Sequence, residues 1–196
     1  MFTGIIQAQG RLSGHRKGRQ QLVLEAEGLA PRVEPGGSVA LDGVCLTLVE
    51  RQAGLLVFDL SRETRDRTTL GDLRAGALLN LELPLTLASP LGGHLVSGHV
   101  DYKGRVLRVA PRPPGRRLSV SLPAEWRPFV VAKGSVAVNG VSLTVAAMAS
   151  SAFEAELIPA TLAATNLDRL RPGVEVNVEC DMIGKYVYNF LNRLQR

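Results

Sequence analysis

The sequence predicts an all-β protein, two tandem homologous six-stranded antiparallel Greek-key barrels plus a C-terminal α-helix. Three observations predict it: an internal repeat, short alternating apolar runs bounded by turn formers, and helical spacing that begins only near the end. GSVALDGVCLTLV, Gly37 to Val49, returns 97 positions later as GSVAVNGVSLTVA, Gly134 to Ala146. The same offset carries Thr64 to Thr161, Thr68 to Thr165, Leu70 to Leu167, Asn80 to Asn177 and Glu82 to Glu179. Upstream the offset shortens to 94, so that Gly4, Gly10 and Arg11 match Gly98, Gly104 and Arg105. Divided this way, the 196 residues give two modules of about 90 residues, 1–90 and 95–184, followed by a helix over 185–196.

The first module offers the strands LVLEA, SVALD, CLTLVE, LLVFDL and LLNLEL; the second offers RVLRV, LSVSL, SVAVN, SLTVA, EAELI and VEVNVEC. Strands this short and numerous lose their exposed edges by closing into a barrel. Asp42-Gly43 and Asn139-Gly140 are two-residue hairpin signals, because both central positions of such turns take positive φ. Pro84 to Gly98, rich in Pro, Gly and Ser, reads as a connector. After Asp181, Tyr186, Phe190, Leu191 and Leu194 fall on one helical face. That face can cover its own domain or meet its equivalents in other subunits.

Composition narrows the function. The net charge of +5 is modest. Its concentrations, Arg16 to Arg19 and Arg112 to Arg117, sit in corresponding loops without interleaved aromatic residues. They read as solvated loop charge and not as a nucleic-acid surface. Cys45 and Cys180 occupy non-equivalent positions without metal-ligand spacing, which argues against a disulfide framework and for a reducing compartment. The start, MFTGIIQAQGRL, lacks the pattern of a signal peptide, and no run approaches the ~18 apolar residues of a membrane span. A cytoplasmic location with no membrane partner is expected. No GxGxxG, Walker loop or Cys/His constellation is present, which favours chemistry without nucleotide or metal.

Two copies of one module imply two similar pockets, so the informative positions are those where the copies differ. Cys45 is matched by Ser142, Ile5 by His99, Gly36 by Lys133 and Asp42 by Asn139. Cys45 begins a strand, with the Thr47 hydroxyl two residues on and on the same face. It is the best covalent nucleophile in the chain, the alternative being a buried apolar cysteine. His99 is the natural proton carrier, and Lys133 can meet a ligand carbonyl or an anionic intermediate; a structural histidine and a solvated lysine are the plain alternatives. His94, in the connector, and His15, in a loop, are set aside, and Cys180 reads as core. Asp59 to Thr64 and Glu156 to Thr161 lie at equivalent strand ends. Their carboxylates, hydroxyls and backbone edges suit a flat heterocycle with a polyhydroxy chain, although turn capping accounts for the same residues.

Read together and in order, MFTGII, GSVALDGVCLTLV, RETRDRTTLGDL, GGHLVSGHVD, KGSVAVNGVSLTV, LIPATLAATNL and VNVECDMIGKYV resemble the riboflavin synthase family of lumazine-binding repeat proteins over nearly the whole chain. The resemblance implies two β-barrels and a C-terminal helix, a homotrimer with its active site between subunits, and no cofactor. It also implies a transferase reaction, the dismutation of two 6,7-dimethyl-8-ribityllumazine molecules to riboflavin and 5-amino-6-(D-ribitylamino)uracil. Carried over by motif, the N-barrel ligand contacts fall on Gly4, Ile5, Ile6, Ser38, Cys45, Leu46, Thr47, Asp59, Leu60, Ser61, Arg62, Glu63 and Thr64. Those of the C-barrel fall on Gly98, His99, Val100, Lys133, Ser142, Leu143, Thr144, Glu156, Leu157, Ile158, Pro159, Ala160 and Thr161, with Asp181 at a further polar position. Under this reading Cys45 or a water it positions attacks one substrate, while His99 with Ser142 and Thr144 moves a proton on the other. Asp42 departs from the asparagine common in the family. A non-catalytic lumazine or flavin carrier of the same fold is the main rival, and an oligonucleotide-binding barrel is a weaker one. Association with lumazine synthase is left open.

Overall fold

The computed structural model describes residues 1–194, so Gln195 and Arg196, the end of the segment assigned to the terminal helix, lie outside the described residues. The first module forms β1 (Ala8–Arg16), β2 (Gln21–Glu25), β3 (Ser38–Leu41), β4 (Val44–Gln52), β5 (Leu55–Asp59) and β6 (Leu78–Glu82). The second forms β7 (Tyr102–Arg112), β8 (Gly115–Ser121), β9 (Ser135–Val138), β10 (Val141–Met148), β11 (Ala152–Leu157) and β12 (Glu175–Cys180). Each set closes into an antiparallel barrel with the same order, β1-β2-β5-β4-β3-β6 in one and β7-β8-β11-β10-β9-β12 in the other.

The apolar pattern reveals every strand but β1. Its sequence AQGRLSGHR turns only Leu12 fully into the core, and its register shifts between Leu12 and Gly14. Gly10 is small by necessity, because a Cβ there would meet Leu24 and Leu81 at 2.9 Å. Two short helices, α1 (Arg62–Arg67) and α2 (Pro159–Ala164), follow β5 and β11 where the sequence showed only strand ends. Six residues are too few to display a helical period. Ser61 caps α1, its hydroxyl accepting the Thr64 N–H at 3.0 Å, while α2 starts on Pro159.

Alternation on β4 and β10 decides where chemistry can sit. Val44, Leu46 and Leu48 are buried in one core and Val141, Leu143 and Val145 in the other. Period-2 geometry therefore turns Cys45 and Thr47, and likewise Ser142 and Thr144, to the outer wall of each barrel. Cys180 is buried, as its sequence context suggested.

The barrels meet at their two hairpins. Asp42 and Asn139 have φ of 45°, Gly43 and Gly140 of 78° and 76°, the double positive φ of a tight hairpin. A Cβ on Gly43 would lie 2.7 Å from the Gly140 nitrogen, so the turns touch backbone to backbone. Around this contact runs a buried amide network related by a pseudo-twofold axis. Asn80 Nδ2 donates to the Asn139 carbonyl at 2.9 Å, and Asn177 Nδ2 to the Asp42 carbonyl at 3.0 Å. Asn80 Oδ1 accepts the Asn166 N–H, and Asn177 Oδ1 the Thr69 N–H, both at 2.8 Å. Beyond β12, α3 (Met182–Leu194) leaves Ile183, Tyr186, Val187, Phe190, Leu191 and Leu194 exposed.

Asp42 breaks the symmetry of this seam. Its carboxylate accepts the Asn80 N–H and Asn166 Nδ2, and burial pushes its pKa up to about 7, the hydrogen bonds opposing the rise. A carboxyl whose pKa is raised on folding binds its proton more tightly in the folded state, so its contribution is full below pH ~4 and is lost as pH rises through about 7. Asp42→Asn, which keeps the acceptor without the charge, is expected to leave the melting temperature nearly unchanged at pH 4. At pH 8 it should raise it by on the order of 5 °C. Calorimetric scans of both proteins across that range check it.

Candidate active site

Among the pockets of the described residues, two lie in the same place on the two barrels, on the outer walls over β4 and β10. The first, about 830 Å³, is lined by Cys45, Leu46, Thr47 and Val49 of β4 and by Asp59, Leu60, Ser61, Arg62, Thr64 and Arg65 at the β5–α1 junction. Lys17, Gln20 and Gln21 from the β1–β2 turn complete it. The second, about 540 Å³, is lined by Ser142, Leu143, Thr144 and Ala146 of β10, by Glu156, Ile158 and Thr161, and by Lys133, Arg112 and Arg117. The loop clusters read from sequence as solvated charge thus border both pockets through Lys17, Arg112 and Arg117.

Most expected residues converge, with clear exceptions. Glu63 turns outward to Arg67, Leu157 is core, and Pro159 and Ala160 belong to the helical turn beside the second pocket and do not line it. Ser38 lies next to the first pocket, paired with Thr47 across β3 and β4. Lys133 takes a φ of 67° and donates its backbone N–H to the Val145 carbonyl, which sets it at the second pocket where the first copy has Gly36. Glu156 is held below the usual carboxylate range, chiefly by its hydrogen bond with Arg117. Its counterpart Asp59 accepts from the neutral Gln21 side chain at 2.8 Å. The two pockets share a frame and each sets three basic side chains against one carboxylate, but the carboxylate is paired with a guanidinium only in the second.

One expectation is corrected. The motif assigned Gly4, Ile5 and Ile6 to the N-barrel and Gly98, His99 and Val100 to the C-barrel, whereas the structure exchanges them. The Gly4 carbonyl accepts the Ser142 N–H and the Gly98 carbonyl accepts the Cys45 N–H, both at 2.8 Å. Ile6 packs on the core of the second barrel and Val100 on that of the first. The cause is an antiparallel bridge at the pseudo-axis, where Phe2 and Val96 exchange backbone hydrogen bonds at 2.7 and 3.1 Å, so each segment runs past its own barrel. Only glycine fits the crossing points. A Cβ on Gly4 would approach the Ser142 Cβ to 2.6 Å, one on Gly98 the Cys45 Cβ to 2.5 Å, and φ is +74° and +84°.

A second correction concerns the histidines. His99 is exposed and follows Gly98 on the Cys45 side of the chain, so within one chain it does not meet Ser142 and Thr144. The histidine at Ser142 is His94, which the connector reading set aside. Its Nδ1 lies 2.7 Å from Ser142 Oγ, and its Nε2 is buried without a hydrogen-bond partner among the described residues. Gly93 permits this approach, since a Cβ there would sit 2.2 Å from the Thr3 carbonyl oxygen. Burial lowers the His94 pKa, and the nearby charge of Asp181 partly offsets it. The GGH glycines were the signal in the sequence. Asp181 itself caps the start of α3, accepting the Ile183 N–H. Among the described residues no cluster of His, Cys, Asp and Glu could hold a metal ion, and no helix is long and apolar enough to cross a membrane.

The duplicated barrels have known counterparts. The lumazine binding domain family matches residues 3–84 and 97–181, one span per barrel. Riboflavin synthase of Mycobacterium tuberculosis (strain ATCC 25618 / H37Rv) is 37% identical over 193 residues, covering 95% of this chain and 96% of its own. The chain belongs to the riboflavin synthase family. Two further riboflavin synthases agree: that of Chlamydia trachomatis serovar D is 39% identical over 187 residues (94% of this chain, 92% of its own), and that of Bacillus subtilis (strain 168) 34% over 195 (98% and 91%). The fold is shared with LumP, whose crystal structures with riboflavin and with 6,7-dimethyl-8-(1'-D-ribityl) lumazine superpose with TM-scores of 0.85 and 0.82. Identity to these is 23% and 22%, over 92% of this chain and 99% of theirs.

Gly98→Ala is expected to displace the Gly98 segment from Cys45 and to destabilise the protein by more than the ~1–2 kcal/mol that positive φ alone costs a residue with a Cβ. Gly76→Ala isolates that strain, because Gly76 has a φ of +89° with nothing within 4 Å of its would-be Cβ. Urea melts of the two variants should differ by the contact term. Equal losses would show that the crossing is not tight.

Proposed function

We propose that the chain transfers a four-carbon unit between two molecules of 6,7-dimethyl-8-ribityllumazine, giving riboflavin and 5-amino-6-(D-ribitylamino)uracil. One observation carries this reading: two pockets alike in frame present different reactive groups, the Cys45 thiol in one and the Ser142–His94 pair in the other. Two copies of a single substrate fit two like sites, and unlike groups give them unlike roles. The Ser142 hydroxyl takes a proton from the C7 methyl of one lumazine and relays it to His94 Nδ1, which desolvation keeps neutral and able to accept. Cys45, with Thr47 beside it, adds to C7 of the other molecule directly or through a water it positions. His99 and Lys133 then serve the rims of the first and second pockets respectively. Asp59 to Thr64 and Glu156 to Thr161 meet the ring edges and ribityl hydroxyls.

The two pockets of one chain have no lining residue in common. Two substrates therefore come face to face only if the first pocket of one subunit closes on the second pocket of another. The exposed apolar side of α3 supplies a surface for such association, and a homotrimer is the assembly proposed. Juxtaposition of the rings supplies most of the acceleration, since effective molarities in such arrangements reach ~10⁵ to 10⁸ M.

Purified protein mixed with dimethylribityllumazine alone should develop flavin fluorescence with two substrates consumed per flavin; binding without turnover would make it a carrier instead. His94→Gln is expected to lower kcat about tenfold or more. It should also abolish the acid limb of the pH profile, which in the wild type lies below the ordinary histidine range because burial lowers the His94 pKa. An unchanged profile would remove His94 from proton transfer. Phe190→Glu, on the open face of α3, should convert the assembly to monomers by sedimentation velocity and abolish turnover while substrate binding persists.

A further inference from the structure

We propose that Glu82 and Glu179 are positioning residues that act across the barrel boundary, each aligning the segment whose glycine carbonyl holds the reactive residue of the other barrel: Glu82 serves Ser142 and Glu179 serves Cys45. The assignment of function to the pockets rests on the reading above; the crossed geometry does not. Glu82 ends β6 of the first barrel. Its Oε1 accepts the Thr3 N–H and hydroxyl, both at 2.6 Å, and its Oε2 accepts the Gly4 N–H at 3.0 Å. Glu179, at the same place on β12, accepts the Ser97 N–H at 2.6 Å and hydroxyl at 2.8 Å through Oε1, and the Gly98 N–H at 3.0 Å through Oε2. The Thr3 and Ser97 hydroxyls in turn accept the N–H groups of Ile5 and His99.

A carboxylate with two oxygens set against consecutive N–H groups fixes the plane of the Thr3–Gly4 peptide and likewise that of Ser97–Gly98. The next carbonyls, of Gly4 and Gly98, are the ones that hold the backbone N–H of Ser142 and Cys45. Each glutamate thus accepts a hydrogen bond from the same glycine whose carbonyl seats the reactive residue of the opposite barrel. Both are nearly fully buried, at 2% and 3% exposure, and burial raises the pKa of each against the hydrogen bonds it accepts. Charge in such a place is costly, and a stabilising core would use an apolar side chain. A glutamine cannot replace it, because its amide NH₂ would face one of the two N–H donors.

The test uses the full chain and the variants Glu179→Gln and Glu82→Gln. Iodoacetamide labelling without ligand, mapped by peptide mass spectrometry, reads the seating of Cys45; Cys180 is silent because burial pushes its thiol up to about 12. Glu179→Gln is expected to change the Cys45 labelling rate by about tenfold, and Glu82→Gln by less than about twofold, as loss of a buried acceptor allows at one site only. Riboflavin protection of Cys45 should weaken about tenfold in Glu179→Gln and hold in Glu82→Gln, while kcat/KM falls in both. Should either variant fold poorly, Ser97→Ala and Thr3→Ala, which each delete one hydroxyl, should give the same crossed pattern at about threefold. Equal effects on Cys45 from the two sides, or none from Glu179, would overturn the proposal. Failure of riboflavin to protect wild-type Cys45 would instead count against the flavin reading and leave the labelling comparison decisive.

Discussion

The back-to-back contact of the Asp42-Gly43 and Asn139-Gly140 hairpins is the constraint from which the rest follows. A backbone approach of this closeness admits no Cβ and leaves turn carbonyls that must be satisfied without water. Asn80 and Asn177 satisfy them, each reaching over the seam into the opposite turn. Because amide and carbonyl partners are directional, the barrels are held at one relative angle, which an apolar contact alone would not fix. Only at that angle do Phe2 and Val96 meet, and only then can the two glycine segments reach across.

The same geometry explains why chemistry sits on the outside of the barrels. Six strands of this length close around side chains that fill the interior, with Phe58 and Phe153 fully buried in the two cores. No internal space is left for a ligand of flavin size. The outward residues of β4 and β10 become the floor of each pocket, and the ends of β5 and β11 with the short helices after them become the walls. Each floor is held from the other half of the chain, by the Gly98 carbonyl at Cys45 and the Gly4 carbonyl at Ser142, so it is sensitive to the relative placement of the halves, which the buried glutamates transmit.

Much of this could be read from the sequence because duplication writes its own alignment. Alternation in SVALDGVCLTLV fixed which residues face out, and the Asp-Gly and Asn-Gly pairs fixed the turns. β1 escaped notice because a strand curved by a register shift and crowded by Leu24 and Leu81 carries glycine where the pattern looks for valine. The exchange of Gly4 and Gly98 escaped for another reason: an internal repeat tells which residues correspond and is silent on which copy they serve. His94 carries little signal of its role because Pro, Gly and Ser mark an irregular path without telling what that path runs beside. Gly93 is what lets the chain pass closely over Ser142. Glu82 and Glu179 matched in the repeat, yet a matched residue draws no attention when asymmetry is the guide.

Reciprocal exchange between the halves has a historical consequence. A lone ancestral module folded in this way could not set its leading segment against its own reactive strand; it could do so only against that of a sister molecule, and its sister would return the contact. Joining two genes end to end turned that concentration-dependent encounter into a tethered one, at an effective concentration of the order of millimolar or above. Freed from identity with each other, the halves could then diverge at a handful of sites, thiol against hydroxyl and acid against amide, while the handclasp that first united them stayed intact.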